Sequence, residues 1–201
     1  MGNIIYRRFR KGDKMTSFKN FFAGDDDYGF LKADQMPAGE YRDVYASLAL
    51  REGFVTTGQT GDYLSNHCGA TAATNFARHY IKEDWRKIFV NVYALIGNGP
   101  AFFISHKIKR YFKSHGLKLK SKIHFKTDKI KKATIRNRLS ILLLANGLFD
   151  WHYVLCLGYR AYANGDDYLI IADGWTRTVS YYKVNRGSLM FSATTYDLII
   201  S

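Results

Sequence analysis

One cysteine in the chain stands where a thiol could act as a nucleophile. Cys68 lies in SNHCGATAATNFARHY (Ser65–Tyr80), ahead of small and apolar residues at helical spacing. A thiol attacks a carbonyl only as its thiolate, and the unpaired N–H groups and positive dipole end of a helix lower its pKa. The same amides can hold a developing oxyanion, and Gly69 would leave the approach to the sulfur open. The alternative is a small core side chain, since free cysteine is often buried.

A thiol also needs a base. His67 adjoins the cysteine but is expected to point away across the helix start. His79, His106, His115 and His124 fall on helical or basic segments that suit surface positions. His152 differs, because it opens the apolar strand pattern WHYVLCLGY after the turn-like NGLFDW. There a ring can face a cleft while Val154 and Cys156 run on into the core. A structural histidine with its hydrogen bonds met would fit the same place. Asp173 ends the next apolar strand, YLIIADGW, and could fix the imidazole through its second nitrogen. Gly174 permits a turn, and Trp175 could shield that hydrogen bond. Asp150 is nearer in sequence, but a residue two positions along a strand is poorly placed to reach the ring, so Asp173 is preferred.

In this order and spacing the three groups resemble the papain-like cysteine peptidases. Within them they resemble the bacterial branch of streptopain and the double-glycine peptidases that process bacteriocin leaders. The matching pieces are Cys68-Gly69-Ala70-Thr71-Ala72-Ala73, His152-Tyr153-Val154 through Gly158-Tyr159, and Asp173-Gly174-Trp175. The lysine-rich helix before SILLLAN is also similar, and the likeness runs from about Thr56 to Asn185. It implies a Cys68–His152–Asp173 triad that hydrolyses peptide or isopeptide bonds in a peptide or protein substrate through a thioester, with no metal and no cofactor. The family's usual oxyanion glutamine is absent: Asp62 stands in its place, so Gln59 or Asn66 would have to supply the amide. The same residues would serve an acyltransferase, a transglutaminase-like enzyme or a deamidase. A catalytically silent binding module with a basic surface is the remaining alternative.

The elements that must position these groups follow from periodicity. Residues 1–55 read as an N-terminal extension or arm with a helical segment around Glu40–Arg51, and residues 56–201 as the peptidase domain. Helices are expected from Cys68 to about Ile81, from Pro100 to about His115, and over DKIKKATIRNRL. A strand is expected over Lys118–Lys126, then strands over SILLLAN, WHYVLCLGYRAY, DYLIIADGW and TVSYYKVN. Helices first and strands later give an α+β fold, with the nucleophile helix packed on an antiparallel sheet.

The formal charge is +13, from 30 Lys and Arg against 17 Asp and Glu. The cations concentrate in Arg7–Lys14 and Lys107–Arg138, and the Lys107–Lys132 region could hold an anionic surface or an acidic protein. No nucleic-acid module accompanies them. The three aspartates of GDDDYG (Gly24–Gly29) lack the alternating ligands of a calcium loop and read as a turn. Two cysteines make no disulfide framework. The start MGNIIYRRFRKGDK lacks a signal-peptide core, and no run approaches the ~20 apolar residues of a membrane span. A soluble protein is expected, cytoplasmic or secreted in mature form.

Overall fold

A computed structural model describes residues 28–61, 66–98, 102–148 and 150–199. The basic Arg7–Lys14 stretch, the aspartates at 25–27, Asp62 and Pro100 lie outside the described residues. Among the described residues eight strands form one sheet: β1 (Phe30–Leu31), β2 (Tyr41–Tyr45), β3 (Lys118–His124), β4 (Ser140–Ala145), β5 (Trp151–Tyr162), β6 (Asp167–Ala172), β7 (Ser180–Tyr182) and β8 (Leu189–Ile199). Their order is β1-β7-β6-β5-β4-β8-β3, with β2 also paired to β5, and the pairings are antiparallel. The helices are α1 (Thr57–Thr60), α2 (Cys68–Ala77), α3 (Trp85–Ile96), α4 (Ser105–Ser114) and α5 (Thr127–Ile135). The expected α+β class is the observed one.

Strand alternation divides the core in two. On one face Tyr153, Leu155 and Leu157 of β5 pack with Ile141 and Leu143 of β4 against Phe76, Ile88 and Phe112 of the helices. On the other, Val154 and Cys156 meet Leu142, Leu144, Ile171, Tyr182 and Ile130 of α5. Both faces are covered, which is why SILLLA is a continuous apolar run rather than an alternating one. In α2 every residue after Cys68 is buried. Its Gly and Ala residues let the backbone approach β5 closely: a Cβ on Gly69 would meet the Tyr153 ring at 3.3 Å. Gly69 therefore serves packing.

The structure departs from these expectations at four points. The segment read as a helix over Glu40–Arg51 contains β2, because the second half of β5 outruns β4 and needs a partner. Tyr41–Tyr45 pair with Tyr162–Gly158 there, and Asp43 takes both Nε and a terminal nitrogen of Arg160 at 2.7 and 2.8 Å. The second helix begins at Ser105 rather than Pro100, since Phe103 has φ +60°, outside the helical region. Helix α3 is an additional element beyond the expected ones. It is capped by the Asp84 carboxylate on the Arg86 N–H (2.9 Å), and buries Ile88, Phe89, Val92 and Ile96 on one face. Residues 28–55, read as part of an extension, supply two strands to the same sheet as the rest of the chain.

The β2–β5 contact depends on Gly158. A Cβ there would lie 2.3 Å from the Val44 carbonyl oxygen, and backbone cannot yield as a flexible side chain does. Gly158→Ala should lower stability by roughly 2 kcal/mol, the usual cost of overpacking, read as a fall in the urea midpoint at unchanged slope.

Candidate active site

The cavity forms where two strands part. The last β5–β6 pair is Leu155 with Ala172, so β5 runs on alone on that side from Val154 back to Trp151. The Asn146 N–H donates to the Asp150 carbonyl (2.9 Å), which turns the even-numbered backbone groups of β5 toward β4. In an antiparallel ladder the odd-numbered groups then face the opposite edge. Cys68 fills that gap. Its Sγ lies 3.9 Å from the Trp151 carbonyl oxygen, and the Tyr153 N–H is directed at the sulfur.

Cys68, His152, Asn66, His67, Asp150, Trp151, Trp175, Thr57 and Tyr28 line one cavity of about 470 Å³. His152 is only 4% exposed and is held by rings: Trp175 stacks on it (centroids 4.1 Å apart, planes 12° apart), and Tyr28 lies 5.2 Å away. Its Nε2 lies 2.6 Å from the backbone carbonyl oxygen of Asp173. A carbonyl only accepts, so Nε2 carries the proton and Nδ1 is left with a free lone pair.

Asp173 was expected to orient the ring with its side chain, but the contact is made by its main chain. The carboxylate turns inward, accepting the Trp175 and Thr176 N–H groups (2.9 and 2.8 Å), the Ser180 hydroxyl and the Lys32 ammonium at 3.2 Å. Gly174 at φ +81° makes this tight turn possible. Burial alone would raise the Asp173 pKa, but the donors from Ser180, Thr176 and Trp175, with Lys32, hold it below its ordinary 3.8.

The proposed oxyanion amides separate. Gln59 Oε1 accepts the Thr56 N–H (3.0 Å) in a capping box on α1, and Gln59 does not line the cavity. Asn66 does line it, in a left-handed conformation (φ +54°). His67, expected to point away, forms part of the wall; its Nε2 lies 2.6 Å from the Thr60 hydroxyl and 3.2 Å from the Thr57 carbonyl oxygen.

Asp150, set aside because a residue two positions along a strand is poorly placed to reach the ring, lines the same cavity as His152. Its carboxylate accepts the Tyr28 hydroxyl (2.6 Å), and its charge acts on both Cys68 and His152. Lys32, Tyr28 and Phe30, whose ring lies 5.5 Å from Trp175, come from a stretch with no chemical motif.

Burial raises the Cys68 pKa above 9.0, although the N–H groups of Tyr153, Gly69 and Cys68 itself pull against it. Burial likewise lowers His152 below 6.5, against the Asp173 carbonyl and the two aspartates. Both shifts favour the uncharged forms, thiol and imidazole. Cys156, fully enclosed, is pushed up to about 12.

No protein-family profile matches this chain, and no curated protein matches it. Among solved structures it is similar to UfSP from C. elegans, at 9% identity and a TM-score of 0.47, over 84% of this chain and 36% of that one. The chain therefore spans little more than a third of that protein's solved length.

Two measurements check the electrostatics. Iodoacetamide labelling of Cys68 should climb with pH and reach half its limit above 9, while Cys156 stays unlabelled; a plateau extending to pH 5 would mean that a thiolate–imidazolium pair is already present. Asp173 has a depressed folded pKa, so its stabilisation is complete above its unfolded pKa and is lost as pH falls through the folded value. Asp173→Asn should cost roughly 2 kcal/mol at neutral pH and flatten the loss of stability below pH 4, measured by urea unfolding across pH.

Proposed function

We propose that the chain is a papain-like cysteine peptidase acting through Cys68 and His152. One observation carries the reading: the thiol and the imidazole share the wall of one cavity, and the ring's Nε2 is tied to a carbonyl so that Nδ1 is free as a base. As Cys68 Sγ attacks the substrate carbonyl carbon, its proton passes to Nδ1 and the carbonyl π electrons move onto oxygen. The tetrahedral intermediate collapses, the carbon–nitrogen bond breaks, and the imidazolium gives its proton to the leaving amine. Water, deprotonated by Nδ1, then hydrolyses the thioester.

The remaining residues have supporting roles. The Asp150 carboxylate, which bears on both groups, favours the imidazolium formed during attack. The Cys68 N–H and the Asn66 amide are the oxyanion donors. Asp173 fixes the tautomer through its carbonyl, and Trp175 keeps the ring in plane. The motif order Cys68-Gly69, His152-Tyr153-Val154 and Asp173-Gly174-Trp175 supports the streptopain-like and double-glycine branch.

The test is turnover of a peptide-library substrate with mass detection of the acyl-enzyme. Cys68→Ala and His152→Ala should each lower kcat by roughly 10³-fold or more with the fold intact. Asp150→Asn should lower kcat without abolishing it. Unchanged turnover in Cys68→Ala would sink the proposal. A thioester that passes to an added amine but not to water would instead identify an acyltransferase.

A further inference from the structure

The chain's excess charge is a local property. Residues 107–138 hold thirteen Lys and Arg but a single acid, Asp128, giving +12 within a chain of +13. Three of these cations are engaged: Lys107 with the Ile96 carbonyl (2.9 Å), Lys131 with Asp167, and Arg138 with Asp197 (2.6 Å). The other ten have no carboxylate within ion-pair distance among the described residues. They share none of the residues that line the Cys68 cavity.

Their centre is the outermost strand. β3 pairs with β8 from Lys118↔Ile199 to His124↔Ala193, and no described strand lies on its other edge. Alternation puts Lys118, Lys120, Lys122 and His124 on one face. Lys129 of α5 joins them: burial first, then Lys122 and Lys129, lower the His124 pKa. The opposite face carries Ile123, 43% exposed, beside the exposed rings of Phe103 and Phe191 along a shallow apolar groove.

We propose that the free edge of β3 is a docking site for an extended polypeptide segment in which acidic and apolar residues alternate. Alternate residues on a strand recur every ~6.7 Å, so an added strand presents one carboxylate to each lysine of the ladder. Its intervening apolar side chains fall on the face of Ile123, Phe103 and Phe191. The unpaired N–H and C=O groups of an edge strand are met by another backbone, which a nucleic acid does not offer. The ladder discourages two copies of β3 from pairing, and so selects a partner of opposite charge.

The test uses the full chain and a fluorescein-labelled, capped decapeptide of alternating Glu and Val. Anisotropy should rise saturably and the affinity should fall with salt. K118E/K120E/K122E should weaken binding by about tenfold or more while leaving the thermal melt unchanged. Two further peptides, N-methylated on one or the other alternate set of amides, should differ, only the set facing β3 losing affinity. Three results would each overturn the proposal: equal binding of both methylated peptides and the parent, undiminished binding to the triple variant, or tighter binding of an oligothymidylate of equal charge. None of these readings depends on the acyl chemistry.

Discussion

A carboxylate 1% exposed to solvent has to be met by donors on all sides, and at Asp173 those donors come from three parts of the chain. The turn after β6 gives two N–H groups, β7 gives the Ser180 hydroxyl, and the segment after β1 gives Lys32. An unmet charge there would cost several kcal/mol. Once met, it locks the turn, and the turn aims the carbonyl that holds His152. The position of the imidazole is thus a by-product of satisfying a buried ion. The same requirement draws Tyr28 and Phe30 over the ring, because Lys32 cannot reach Asp173 unless the strand before it lies alongside β7.

The strands of the sheet's centre were legible because β4, β5 and β6 are apolar runs bounded by turn residues, and helix α2 because its small residues repeat at helical spacing. The places of the candidate residues in the fold were readable for the same reason: Cys68 begins a helix, and His152 and Asp173 sit at strand ends. Side-chain direction was not readable. Whether Asp173 offers its carboxylate or its carbonyl is decided by a turn centred on Gly174 and by Lys32, 141 residues away. Nor does the spacing of Asp150 and His152 along the chain reveal that both face one cavity. Local propensity also misjudged Tyr41–Tyr45, where the need of β5 for a partner overrides helical character.

Charge and chemistry occupy different parts of the molecule. Among the described residues the cavity around Cys68 is walled mostly by aromatic and neutral side chains, with Asp150 as the acidic one. The lysines gather three strands away across β8 and β4, on the margin of the sheet. Groups that can stay uncharged suit the first environment, where burial penalises ions; ammonium groups suit the second, where water solvates them.

The clamp on His152 is a peptide dipole, and a dipole has no protonation state of its own. A carboxylate in that place would bind the imidazolium much more tightly than the imidazole. A carbonyl holds either form by one hydrogen bond and favours the charged one less strongly than a full negative charge would. The ring is therefore oriented with a bias toward the charged form that burial outweighs.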